Sequence, residues 1–131
     1  MKKMIVLTLE INHETLKISP EIRRIDKGNS LHEKYKYIGC RLVDCKDFEI
    51  DGEIFTVWFD DEFLYNGKLV PTMLVKEENY KTILCGNLLF TGFDEEREER
   101  GLKLEEIHKI VDYLYQTRGE LMAEVHAVMQ N

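Results

Sequence analysis

Two adjacent residues, Asp51-Gly52, constrain this chain more than any others. They stand between two runs rich in apolar residues, and both residue types reach positive φ at low cost, so the dipeptide predicts a two-residue type I′ hairpin. The run before it, residues 40–50, alternates: Leu42, Asp44, Lys46, Phe48 and Ile50 fall on one side, Val43, Cys45 and Asp47 on the other. That is a strand with room for a bulge. The run after it, residues 54–59, puts Phe55, Val57 and Phe59 on one face and Thr56 with Trp58 on the other. Both faces are partly apolar, so Trp58 needs cover from a second copy, a ligand or the chain's own N-terminal segment.

Other segments add to that hairpin. Residues 4–11 read as a strand, Asn12-His13 as a turn and residues 14–18 as a second strand; Ser19-Pro20 then breaks the pattern. The stretch to Gly28, with Arg23 and Arg24, reads equally as a helical turn or an extended connection. Ser30 stands three residues before Glu33, the capping-box spacing, and predicts a short helix to about Tyr37 that Gly39 permits to stop. Asn66-Gly67 predicts another hairpin, between Phe63-Leu64-Tyr65 and Leu69-Val70, with Pro71 holding the return segment at an edge or ending it early. Residues 88–93 read as a buried strand flanked by Gly86 and Gly92.

Residues 94–100 are almost wholly charged and predict a solvated, flexible loop. Beyond Gly101 the period turns helical, with Leu104, Ile107, Val111, Leu114, Leu121, Met122, Val125 and Met129 on one stripe. Two helices or one kinked helix should span about 104–130, with Gly119 as the kink. The expected fold is α+β: an antiparallel sheet of about five or six strands, a short helix inserted early, and a C-terminal helical hairpin or kinked helix. All 131 residues form one domain, with residues 1–93 mainly sheet, 94–101 a charged loop and 102–131 the C-terminal helices.

Composition bounds the function. With 44% hydrophobic residues the chain can bury a core without metal or disulfide staples. Its net charge of −7 lacks the surplus of Lys and Arg that a direct grip on DNA or RNA needs. Cys40, Cys45 and Cys85 are odd in number and have no CxxC spacing, which points to reduced thiols in a cytoplasm. The apolar run at residues 4–7 is too short for a signal core or a membrane span.

The chemical candidates are few. Arg118 falls on the apolar side of the helical stripe and needs a partner, either Glu120 or Glu124, or an anion in a cleft or dimer seam. Asp60-Asp61-Glu62 is a carboxylate cluster at a strand end, read as solvated rather than as a metal site. His13, His32, His108 and His126 are scattered without zinc spacing, and each cysteine lies in a strand-like context with no recognisable nucleophile turn. No GxSxG, P-loop or GxGxxG occurs. These readings predict a protein that is not an enzyme and uses no metal or cofactor.

A set of short segments carries a family resemblance: Asn29-Ser30-Leu31, Tyr37-Ile38-Gly39-Cys40-Arg41, Asp60-Asp61-Glu62, Gly86-Asn87-Leu88-Leu89-Phe90-Thr91-Gly92 and Leu104-Glu105-Glu106-Ile107. In order and spacing, over residues 29–110, they resemble a phage and mobile-element family of uncharacterised small proteins. That grouping is in turn similar to the phage anti-Thoeris sponge proteins, which bind a cyclic ADP-ribose isomer without cleaving it. The resemblance implies an antiparallel sheet followed by C-terminal helices, ligand sites where protomers meet, and a phosphate-facing role for Arg118 by analogy of place.

The candidate ligand residues are therefore Arg118, Arg41, Asn87 and Tyr115. Two departures from the sponge proteins stand out: Ile38-Gly39-Cys40 stands where they tend to carry a Gly-Gly-Tyr, and Asp60-Asp61-Glu62 where they tend to carry an Asn-Glu-Gly, adding two carboxylates that a pyrophosphate pocket would disfavour. The expected function is sequestration of a nucleotide-type immune signal, a cyclic ADP-ribose isomer or cyclic oligonucleotide, by a cytoplasmic homo-oligomer, dimer or larger. The alternative is an acidic protein–protein inhibitor of a bacterial nuclease or immune complex, a host immune protein among its targets, with residues 94–100 and 60–62 meeting a basic nucleic-acid groove.

Overall fold

A computed structural model describes residues 2–67 and 69–130. In chain order the elements are β1 (Lys3–Ile11), β2 (Ile18–Asp26), a 3-10 turn (Lys27–Asn29), α1 (Ser30–Ile38), β3 (Val43–Ile50), β4 (Glu53–Asp60), β5 (Pro71–Lys76), β6 (Lys81–Cys85), β7 (Leu88–Phe93), β8 (Glu99–Arg100), α2 (Leu104–Gln116) and α3 (Arg118–Met129). The fold is α+β. Its main antiparallel sheet runs β2-β1-β7-β4-β3, with the short β8 paired to β7 as a sixth strand, while β5 and β6 form a separate hairpin.

The Asp51-Gly52 turn forms as its residue types dictate, with φ of 49° and 86°, and sets Ile50 opposite Glu53. β2 differs from expectation, because it begins at Ile18 and runs through Ser19-Pro20 to Asp26. The reason lies in which way the backbone of β1 points. Ile5 accepts from the Leu102 N–H and Ile11 donates to Asn87, both on the β7 side, so odd-numbered β1 residues face away from β2. Pro20 stands opposite odd-numbered Leu9, so its nitrogen turns to the open edge, where no N–H is needed. The other edge, β3, exposes Asp44, Asp47 and Glu49, charges that discourage further strand addition.

α1 forms over the expected residues and ends at Gly39 in the left-handed conformation, but the capping box does not. The Ser30 hydroxyl donates to Glu99 instead of capping its own helix. Residues 61–67 are turns, not one arm of a hairpin. The Asp60 carboxylate organises them by accepting from the Glu62 N–H (2.8 Å) and from Asn66 Nδ2 (2.9 Å). The strand pairing expected around Asn66-Gly67 occurs later, between β5 and β6, a pair the sequence reading passes over.

The charged segment is likewise more ordered than its composition suggests. Asp94 accepts from the Glu96 and Glu98 N–H groups, closing a tight turn that leads into β8. The helical segment breaks at Thr117, whose hydroxyl donates to the Tyr113 carbonyl, and Gly119 sits inside α3.

Both faces of the main sheet are covered. On one, α2 and the β5–β6 hairpin bury Leu7, Phe48, Phe55, Val57, Phe90, Ile107 and Ile110 together with Met73, Val75 and Leu84. On the other, α1 closes a smaller core of Met4, Val6, Ile25, Ile38 and Leu89. Trp58 packs against this second core and under Lys34, so its cover comes from the same chain, from α1 together with the N-terminal strands, and not from a second copy. α3 lies on the β5–β6 hairpin and fully buries only Leu121; of the rest of the expected stripe Met122 and Val125 are half-buried and Met129 is 79% exposed.

Candidate functional site

α2 rests over the β4–β3 side of the sheet, where Tyr113 meets Phe48 with ring centres 6.0 Å apart and Lys109 pairs with Glu53 at 2.9 Å. The β1–β2 corner of the same face stays open. The result is a groove of about 700 Å³, walled by the β1–β2 hairpin (Leu9, Leu16, Lys17, Ile18, Pro20) on one side and by the end of α2 and start of α3 (Val111, Leu114, Tyr115, Arg118) on the other. That volume lies within the usual range for small-ligand sites.

Charge distinguishes this groove from its neighbours. Its lining holds two cations, Lys17 and Arg118, and no carboxylate among the described residues. Two other depressions, of about 490 and 550 Å³, mix the signs: Glu53, Glu105 and Glu106 stand with Arg100, Lys103 and Lys109 in one, and Glu49, Asp51, Glu105 and Asp112 with Lys109 in the other. In a chain of net charge −7, a carboxylate-free groove with two cations is a local reversal of sign.

Arg118 does not take the partners its sequence neighbours offer. Glu120 and Glu124, its candidate partners, pair with Lys76 at 3.0 Å and Lys81 at 3.2 Å. Among the described residues no carboxylate pairs with Arg118, and its guanidinium reaches only the Pro71 carbonyl, at 3.5 Å. Tyr115, 85% exposed, stands beside it on the same wall.

The other two sequence candidates lie elsewhere. Asn87 spends its amide on the backbone, accepting from the Ile11 N–H and donating to the Tyr37 carbonyl, both at 3.0 Å, and so ties the end of β1 to the end of α1. Arg41 is exposed in the bend between α1 and β3 and does not line the groove. Asp60-Asp61-Glu62 is also absent from the lining, so its carboxylates do not oppose an anion there. Sequence reasoning misses Leu16 and Lys17; their only signal is an apolar residue and a cation side by side at the end of a hairpin turn.

A second polar cluster sits under α1. Lys34, 4% exposed, donates to Glu99 (2.6 Å) and Ser30 (2.8 Å), with its ammonium 3.8 Å from the centre of the Trp58 ring. The Trp58 indole N–H donates to Thr91. Every strong donor there has a partner, which marks the cluster as a latch between α1, β4 and β8.

Burial, reinforced by Asp44 and Asp47, pushes the Cys45 thiol up, and burial pushes Cys85 up, the opposite of what a nucleophile needs. Among the described residues no group of three or more His, Cys, Asp or Glu side chains converges as a metal site. The four histidines are all exposed. No helix of the described residues is long and apolar enough to cross a membrane.

Fold and groove together define a small α+β protein with a cationic, carboxylate-free groove beside a sheet edge. The chain belongs to the family described as Domain of unknown function (DUF3846), whose model matches residues 6–115. The matched span runs from β1 to Tyr115, so Arg118 and α3 lie outside it. No curated protein and no solved structure matches the chain.

Proposed function

We propose that this chain is a non-enzymatic binding protein that holds an anionic, ring-bearing small molecule of the nucleotide class in the groove and so withdraws it from solution. One observation carries the reading: Arg118 and Lys17 line a mainly apolar groove of about 700 Å³ whose lining includes no carboxylate among the described residues. A guanidinium with no carboxylate partner among the described residues can grip phosphate through paired N–H groups, and the exposed Tyr115 offers a face for a base. The raised thiols and dispersed histidines favour retention over turnover.

The setting is that of a phage or mobile-element protein acting against a nucleotide immune signal in a bacterial cytoplasm, as a homo-oligomer. Its support is the resemblance carried by residues 29–110, not the groove. Calorimetric titration with adenosine monophosphate, ADP-ribose and a cyclic dinucleotide tests the binding claim. Saturable binding that Arg118→Ala weakens about tenfold or more is expected; silence across the panel refutes it.

The alternative, an acidic protein that blocks a basic partner, has its own observation. The turn closed by Asp94 holds Glu95 and Glu96 out in solvent. Because Asp94 builds that turn, charge reversal at Glu95 and Glu96, not at Asp94, is the clean test of this reading. Capture of a host protein that the reversed variant fails to capture is its expected result.

A further inference from the structure

Leu16 has φ of 60°, a left-handed backbone conformation that a β-carbon disfavours and that glycine adopts freely. The turn around it is over-determined. Leu16 donates its N–H to the Asn12 carbonyl at 2.7 Å, Asn12 donates back to the Lys17 carbonyl at 2.9 Å, and the Asn12 side chain accepts from the Glu14 and Thr15 N–H groups. All this holds in place a leucine that is 58% exposed and buries little of itself. Glycine at the same position would relieve the strain, so stability does not account for the side chain. Its location does: Leu16 and Lys17 form the lip of the groove across from Tyr115 and Arg118.

We infer that the turn of residues 12–17 is the specificity wall of the groove: Leu16 packs on one face of the ligand's ring, opposite Tyr115, while Lys17 shares the ligand's anionic group with Arg118. The inference rests on the groove being the ligand site and adds what that site selects. A flat ring fills the space between an aliphatic and an aromatic side chain, and a phosphate set at one end of that ring meets two cations from opposite walls. The ligand class is then a nucleotide that presents its base to the groove; a bare polyphosphate would engage the cations alone.

The experiment compares two probes, adenosine monophosphate and inorganic pyrophosphate, on wild type, Leu16→Gly and Arg118→Ala, with thermal melts of each protein. Wild type should bind the nucleotide more tightly than pyrophosphate. Leu16→Gly should melt at or above the wild-type temperature, lose about tenfold in nucleotide affinity and keep its pyrophosphate affinity within about twofold. Arg118→Ala should weaken both probes. In methyl-labelled wild type, the Leu16 methyl resonances should move upfield with the nucleotide and stay put with pyrophosphate, a ring-current signature that needs contact with the base.

If Leu16→Gly binds the nucleotide as wild type does while Arg118→Ala does not, the groove reading stands and the specificity wall falls. If neither probe binds wild type, both fall together.

Discussion

Gly101 and Glu106 illustrate how single residues hold the junction where β8 passes into α2. A β-carbon on Gly101 would stand 2.9 Å from both the backbone N and O of Ile5, and neither atom can yield without opening β1. Gly101→Ala should cost about 2 kcal/mol, read as a lower urea midpoint with an unchanged m-value. Glu106 accepts from Arg100 at 2.8 and 2.9 Å and from the Lys103 N–H at 2.8 Å. The Arg100 guanidinium, with that N–H in support, holds its carboxyl below the usual 4.5. A lowered folded value means the stabilisation is complete above the ordinary carboxylate range and disappears as pH falls through the folded value. Glu106→Gln should therefore lose about 1–3 kcal/mol at pH 7, with the gap to wild type closing as pH falls below the ordinary carboxylate range.

Site residues were legible at this scale only where a side chain broke a pattern. Arg118 interrupts an apolar stripe, and with Tyr115 it does line the groove. Asn87, drawn from a motif resemblance, turns out to be a backbone clip. Leu16 could not be found because its oddity is a backbone angle, which composition does not encode.

Among the elements, α1 shows what a local signal can and cannot say. Ser30 and Glu33 have capping-box spacing, and a helix does begin there, but the Ser30 hydroxyl is taken by Glu99, far away in the chain. That tertiary partner was invisible because residues 94–100 read as a solvated run of charge, whereas Glu99 and Arg100 form β8 and are half-buried. The Lys34, Glu99 and Trp58 latch should consequently couple helix to sheet. Lys34→Ala removes one partner of a largely buried ion pair and should cost about 3 kcal/mol, with Trp58 fluorescence shifted to the red as α1 loosens. Unchanged emission alongside unchanged stability would show that α1 is held by its apolar face alone. Hairpins follow the same logic: Asp51-Gly52 was readable because both flanks alternate, while β5 and β6 were overshadowed by Asn66-Gly67, which closes turns tied to Asp60.

For the molecule as a whole, the α+β class and the order of sheet, short helix and closing helices were legible from periodicity. The strand order β2-β1-β7-β4-β3 was not, since β7 inserts between two hairpins that are sequence neighbours only of themselves. That insertion, with α2 displaced toward β3, is what leaves the β1–β2 corner open and makes a groove. The sheet edges are guarded by Pro20 and by the charges of β3, so an oligomer built by strand addition is disfavoured. Self-association, if present, should use helix or loop surfaces and persist in the double variant Ile22→Lys, Asp47→Lys, checked by light scattering.

Retention without turnover in the cationic groove has a simple equilibrium signature. Equilibrium dialysis of adenosine monophosphate against wild type and the Lys17→Ala, Arg118→Ala double variant, with the nucleotide on both sides assayed by chromatography, addresses it most directly. Wild type should accumulate the nucleotide on its own side and return it chemically unchanged on denaturation, while the double variant should accumulate none. Equal nucleotide on both sides with wild type, or a breakdown product in its chamber, would contradict it.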